Sequence, residues 1–291
     1  MSGAPWILRS LLFVPGNRPE MIEKAPRYGA DAIILDLEDG VAPEAKGRAR
    51  HVVAAALERG FPDGRPVFVR VNGISSGLLE EDVAQALRPR VDGVCIPKCD
   101  APDEVHAVDA HLQLFEDAWG LPRGGTWILP MIESAQGVLN AAAIARCHGR
   151  VAALGFGAED LTADIGVTRT REGEEIAFPR AAVGLAAHAG HVEALDGIFA
   201  DFRDAEGLSR DTARARTLGY TGKMAIHPAQ IAPIHAAFAP SPADVDHARR
   251  VVAAFHEAQT QGVGIVVVDG AMVDRPVVLR AHRVLEIAAR G

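Results

Sequence analysis

The sequence predicts a (β/α)8 barrel followed by a C-terminal extension, and three observations predict it. Short apolar runs alternate with amphipathic stretches, and eight such pairs fit within residues 10–239, close to the roughly 250 residues typical of this architecture. The runs are continuously apolar rather than alternating, as parallel strands buried on both faces are. The strand–helix rhythm itself builds a parallel α/β sheet. The rival is an open doubly wound sheet, whose usual mark is G-x-G-x-x-G between its first strand and a helix. PGNRP stands there instead, while Gly155-Phe156-Gly157 comes late and lacks the third glycine.

The eight expected strands are SLLFVPG from Ser10, AIILDLEDG from Ala32, PVFVRVNG from Pro66, GVCIPK from Gly93, WILPMIES from Trp127, VAALGFGAED from Val151, LDGIFADF from Leu195 and MAIHP from Met224. Helix-like stretches between them cover 19–29, 43–60, 78–87, 101–120, 135–147, 179–190, 210–219 and 228–238. Pro240-Ser241-Pro242 then breaks the rhythm. Residues 242–261 read as a helix, 263–268 as a β-type run and 276–290 as a last helix, with DGAMVDRP as the turn between the latter two. The expected division is a barrel, 1–239, and a lid extension, 240–291. The extension is short for an independent core and better suited to covering something.

Of 291 residues, 48% are hydrophobic and 23% charged, ordinary globular usage that excludes a wholly disordered chain. A formal net charge of −8 disfavours broad binding to nucleic acid or to an acidic membrane. It leaves room for a local basic pocket that takes a phosphate-bearing ligand. Cys95, Cys99 and Cys147 are too scattered for a disulfide framework or a zinc pattern. No stretch approaches the roughly 18 apolar residues of a membrane span. The first residues show no extended apolar signal core, so the expected location is the cytoplasm.

In a barrel, chemistry gathers at the C-terminal ends of the strands, and these ends are rich in charge. The second carries Asp36, Glu38 and Asp39; the third Arg70 and Asn72; the fourth Lys98; the fifth Glu133; the sixth Glu159 and Asp160; the eighth His227. Asp201 and Asp204 follow the seventh. Glu133 and Asp160 end consecutive strands, so their carboxylates can converge, and such a pair with room for water suits Mg2+ or Mn2+ better than zinc. The plainer alternative has them capping helices or pairing with Arg and Lys. Arg70, a cation inside an apolar strand, needs a partner; it either grips a carboxylate or enolate oxygen or neutralises Asp36 or Glu38. Lys98 is either a Schiff-base lysine or a strand-end ion pair. His227 precedes a helix-starting proline and is either a base or ligand or a packed, hydrogen-bonded turn residue, the reading favoured here. Arg18 at the mouth of the first helix either draws a phosphate or is a surface arginine. Asp274 is either a proton carrier or the N-cap of the last helix, and spacing favours the cap.

Eight strings run in order along the chain: RSLLFVPGNRP, ILDLEDGVAPEAKGRAR, VRVNG, IPK, MIES, GAEDL, GKMAIHP and GAMVDRP. Together they resemble the citrate lyase β-subunit-like proteins, which belong with the HpcH/HpaI-type aldolases and include malyl-CoA and citramalyl-CoA lyases. The resemblance spans Arg9 to Pro276 and specifies the family more sharply than the substrate. It implies a modified barrel assembled as a trimer or dimer of trimers, dependent on Mg2+. It implies that Glu133 and Asp160 ligate the metal and that Arg70 contacts the acid substrate. Asp36, Glu38 and Asp39 would support the metal's water shell and Arg70, and Arg18 would lie on the coenzyme A path. Asp274 would reach a neighbouring subunit's site as the proton carrier, which explains a covering tail. The implied reaction cleaves a β-hydroxyacyl-CoA to acetyl-CoA and a 2-oxo acid. The resemblance also admits a citrate lyase subunit acting on an acyl-carrier thioester, and a thioester hydrolase on the same scaffold. Lys98 falls in rank, because the family uses a metal rather than an imine.

Overall fold

Eight parallel strands close on themselves in the computed structural model, which describes residues 6–260 and 262–290. The first five residues, and Gln261 at the end of the expected helix 242–261, lie outside the described residues. The strands are β1 (Ser10–Pro15), β2 (Ala32–Asp36), β3 (Val67–Arg70), β4 (Gly93–Ile96), β5 (Trp127–Ile132), β6 (Ala153–Phe156), β7 (Glu193–Asp196) and β8 (Gly222–Ala225). Each pairs with the next in sequence, and β8 returns to β1 through Leu11↔Met224. Between them run α1 (Pro19–Lys24), α2 (Lys46–Arg59), α3 (Leu79–Ala86), α4 (Pro102–Ala118), α5 (Ala135–Arg146), α6 (Ala158–Asp164), α7 (Ala177–Gly190) and α8 (Ala205–Thr217), with α9 (Ile231–Phe238) after β8. The expected (β/α)8 barrel is therefore the observed one.

Among the differences from expectation, four are instructive. α6 is an extra helix; at seven residues it is too short for a 3.6-residue period to show. α8 begins five residues before Arg210, at Ala205, because Asp204 caps it by accepting from the Gly207 N–H at 2.9 Å. β7 and β8 each start two residues before the expected apolar run, at Glu193 and Gly222. At Gly222 a Cβ would lie 1.7 Å from the Leu8 carbonyl oxygen, so the strand packs where only glycine fits.

The pleat explains how the interior changes character. Side chains two apart share a face, so Leu11, Ile34, Phe68, Leu129, Met131, Leu195 and Met224 form the apolar filling. Trp6 closes against it, its ring 5.9 Å from Phe68 and 6.0 Å from Trp127, both edge-on. One pleat further on, Ile34 gives way to Asp36, Phe68 to Arg70 and Met131 to Glu133, all at the C-terminal strand ends.

Charges behind the strands are paired. Arg180 of α7 and Lys223 of β8 share Asp196 and Asp211. Arg150 binds Glu116 at 2.6 Å and Asp109 at 2.5 Å. Burial opposes the charge on Glu116, yet Arg150 and the Thr126 and Gly124 N–H groups hold its carboxyl down to about 2. Against burial, Lys223 and Arg180 likewise hold Asp211 at about 2. Carboxylates depressed in the folded state stabilise it above their unfolded range and lose that stabilisation as pH falls. The folded state is therefore expected to weaken between about pH 4.5 and pH 2, read as a falling urea midpoint. Arg150→Met leaves the buried carboxylates of Glu116 and Asp109 without their arginine and costs about 3–5 kcal/mol at neutral pH; an unchanged midpoint excludes a structural role for these pairs.

The chain divides into two compact units, residues 1–235 and 236–291. In the second, α10 (Pro242–Thr260) and α11 (Arg275–Arg290) pack through Val251, Phe255, Val278 and Ala281. Between them lies an antiparallel hairpin of β9 (Val266–Val268) and β10 (Ala271–Val273), in register Met272↔Val267. β10 falls where a turn was expected. Asp269, at φ +52, and Gly270, at φ +80, supply the two left-handed positions of its tight turn.

Candidate active site

A cavity of about 240 Å³ opens at the C-terminal ends of the strands, lined by Phe13, Asp36, Arg70, Glu133, Asp160 and Met224 among others. Register builds its cationic wall. Asp36 and Arg70 are paired neighbours on β2 and β3, and the guanidinium grips Asp36 with two bonds of 2.7 Å. A third contact runs to Glu38 at 3.1 Å, and the guanidinium lies 4.7 Å above the Phe13 ring. Asp36 is itself fixed by N–H donors of Glu38 and Gly40 at 2.9 and 2.8 Å. Arg70 thus enters the cavity charged, oriented and with N–H donors to spare. The two readings of Arg70 are compatible: it neutralises Asp36 and Glu38 and still faces the cavity.

Glu133 ends β5 almost fully buried. Burial, and next the Asp160 carboxylate, push its carboxyl up to about 7. Its Oε1 accepts the Lys98 backbone N–H at 2.7 Å. A Cβ on Gly157 would stand 2.3 Å from Glu133 Oε2, so the residue opening the β6–α6 turn must be glycine. Asp160 lies in the first turn of α6 and lines the same cavity. Two carboxylates that repel each other at a cavity wall fit a hard dication, which would relieve that repulsion. Among the described residues no three His, Cys, Asp or Glu side chains close around one point. Such an incomplete set suits Mg2+, which takes one or two carboxylates and keeps the rest of its shell as water and substrate oxygens.

Lys98 turns through φ +49 after β4. Its ammonium lies 2.6 Å from Glu38, 3.1 Å from Asp39 and 3.5 Å from Asp160. Desolvation opposes its charge, but the Glu38 carboxylate outweighs it and holds the amine above the ordinary lysine range. A Schiff-base lysine needs the opposite shift, so of the two sequence readings the ion pair is the one found.

Of the remaining candidates, His227, Asp201, Asp204 and Asp274 have their own local partners. His227 stacks on Phe202 at 4.4 Å and accepts the Ala229 N–H, as a turn residue does. Asp201 accepts the Arg203 N–H in an exposed turn, and Asp204 caps α8 and pairs with Arg171. Arg18 is exposed on the β1–α1 turn. Beside it the buried Asn17 Oδ1 has no hydrogen-bond partner. Asp274 follows β10 and accepts the Val277 N–H at 3.3 Å, the cap that its spacing favours.

Sequence reasoning passed over Phe13, Lys46, Asp82 and Gly157. Phe13 was recoverable, since it is two residues beyond the core position Leu11. Lys46 reaches back to the Leu37 and Glu38 carbonyls and to Asn72 Oδ1, and Asp82 holds Asn72 by two bonds of 2.7 Å. Neither carries a local signal.

A family model described as HpcH/HpaI aldolase/citrate lyase matches residues 9–228. The chain belongs to this family. Within it, the citrate lyase subunit beta of Leuconostoc mesenteroides subsp. cremoris is 36% identical over 280 residues, 96% of this chain and 93% of that protein. The mitochondrial citramalyl-CoA lyase of Homo sapiens is 35% identical over 296 residues, 96% of this chain and 85% of that one. Among solved structures, protein CitE from Mycobacterium tuberculosis in complex with magnesium, acetoacetate and coenzyme A matches with a TM-score of 0.78 and 32% identity. That match covers 97% of this chain and 98% of the other. Family membership agrees with the barrel. No helix among the described residues is long and apolar enough to cross a membrane.

Proposed function

We propose that this chain is a Mg2+-dependent carbon–carbon lyase that cleaves a β-hydroxyacyl-CoA, of the malyl-CoA or citramalyl-CoA type, to acetyl-CoA and a 2-oxo acid. The observation that carries this reading is the cavity wall that sets Glu133 and Asp160 beside a pre-oriented Arg70. Relatives at 35–36% identity that are named citrate lyase subunit beta and citramalyl-CoA lyase, and the CitE structure in complex with magnesium, acetoacetate and coenzyme A, support it.

Glu133 and Asp160 would hold the cation, Mg2+ or Mn2+; when bound, it would supply Lewis acidity toward the oxygens of the substrate. The cleaved bond joins the hydroxyl-bearing carbon to the carbon next to the thioester. As it breaks, the hydroxyl gives its proton to water in the site, its carbon becomes the carbonyl of the 2-oxo acid, and the electron pair passes to a thioester enolate. Arg70, held by Asp36 and Glu38, binds the acid's carboxylate and the growing negative charge without having to reorganise. Asp36, Glu38 and Asp39 serve as its support and as acceptors for water around the cation. Asp274, brought by the tail of a neighbouring copy, then protonates the enolate carbon to give acetyl-CoA. The exposed Arg18 suits the phosphates of coenzyme A. That role of the tail requires assembly with at least one further copy, and the family resemblance makes it a trimer or hexamer. Free cysteines fit the reducing cytoplasm.

Arg70→Lys keeps the charge but loses the two-bond grip on Asp36. The expected loss is about 10²–10³ in kcat/KM, with Mn2+ affinity unchanged by titration; full activity in the variant excludes this role. The reading as a whole is tested with purified protein, Mg2+ and malyl-CoA or (S)- or (R)-citramalyl-CoA, following 2-oxo acid and acetyl-CoA with an EDTA control. Equal, EDTA-sensitive release of both supports it, whereas free thiol without oxo acid means a hydrolase. A second reading, a citrate lyase subunit acting on a carrier-bound citryl thioester, is favoured by the near full-length match to citrate lyase subunit beta. Comigration with an acyl-carrier partner distinguishes it.

A further inference from the structure

Lys98 has no part in the chemistry just described, yet it touches both carboxylates assigned to the cation. Its main-chain N–H donates to Glu133 Oε1 at 2.7 Å, and its ammonium stands 3.5 Å from Asp160 Oδ1. The same ammonium is anchored at 2.6 Å to Glu38 and at 3.1 Å to Asp39, neither of which is assigned as a ligand. Lys98 is therefore not a stray surface cation. It is a fixed positive charge beside the position a dication would take, about half exposed and able to withdraw along its flexible stem.

We propose that Lys98 is an internal counter-ion that competes with the divalent cation for Asp160, and thereby makes binding of the cation depend on the anionic substrate. This rests on the assignment of Glu133 and Asp160 as ligands. Among the described residues, the cations paired with Asp36, Glu38, Asp39 and Asp160 are Arg70 and Lys98, and Arg70 also faces Glu133. Without a dication, Lys98 lowers the repulsion among them. A dication approaching Asp160 is repelled by the ammonium already paired there, so its affinity alone is weakened. A substrate carboxylate entering beside both cations offsets that repulsion. Each ligand then raises the affinity of the other, as linkage requires. The consequence is a site that fills with metal mainly when a substrate is present.

The test is Mn2+ binding, read from the free-ion electron paramagnetic resonance signal, with and without pyruvate as the oxo-acid probe. Parent, Lys98→Met, Lys98→Arg and Glu133→Gln proteins are compared, with circular dichroism to establish that each is folded. Lys98→Met is expected to bind Mn2+ about tenfold more tightly than the parent without pyruvate, and the enhancement by pyruvate to shrink by a similar factor. Lys98→Arg, which keeps the charge, should stay near the parent. Glu133→Gln should abolish the signal change and so shows which site is read. Mn2+ binding that depends on Glu133 but is unchanged or weaker in Lys98→Met overturns the inference and leaves the ligand assignment standing. Absence of Glu133-dependent binding in both parent and Lys98→Met overturns both.

Discussion

Glu133→Gln is expected to weaken divalent-ion binding by at least about 100-fold, more than the loss of an outer-shell partner. Turnover should fall by roughly 10³ or more, since a Lewis-acid cation supplies several kcal/mol. The glutamine oxygen can still accept the Lys98 N–H that Glu133 Oε1 accepts at 2.7 Å, so the β5 end should keep its shape. The parent carboxyl is also buried against Asp160 and pushed up to about 7. Removing that charge should leave the metal-free protein as stable as before or more so. Isothermal titration with Mg2+ and a thermal melt read both effects. A Glu133 that serves only the fold gives the reverse pattern, lower Tm with unchanged Mg2+ affinity, and that outcome ends the ligand assignment.

Asp274→Asn should cut kcat by about 10²–10⁴, the range of a lost general acid–base group, while Mg2+ affinity stays within a few-fold. Asp274 accepts the Val277 N–H ahead of α11, and asparagine caps a helix about as well as aspartate. Stability should therefore not change, and the substitution separates the two roles of this residue. A sensitive readout is exchange of the acetyl-CoA methyl protons in deuterated water, which the variant should lose. If Asp274 is a cap alone, Asn is silent in both assays and Ala costs about 1 kcal/mol.

The barrel was legible because its strands are buried on both faces and so write continuous apolar runs. β7 and β8 show the limit of that signal. The LDGIFADF run stays apolar past the strand end at Asp196, while Gly222 and Lys223 at the start of β8 are polar or small. Lys223 can occupy a strand because Asp196 and Asp211 meet it there, and no local pattern announces partners 27 and 12 positions away. α6 and β10 were missed because elements of seven and three residues are too short to show a period.

The candidate site divides along the same line. Which residues end the strands could be read from the order of apolar runs. That Arg70 grips Asp36 while lining the cavity depends on the β2–β3 register, a pairing of residues 34 positions apart.

By itself the sequence determined the barrel, the family and the set of charged strand ends, because buried parallel strands and contiguous motifs are local and survive in one dimension. Only the tertiary structure decided which of those charges share a cavity, that Lys98 is an ion pair, and that Glu133 is buried within reach of the Asp160 charge. Those facts depend on closing the sheet, which brings the ends of β2 to β6 within hydrogen-bonding reach of one another, and on burial, which raises or lowers a charge according to its neighbours rather than its own chain.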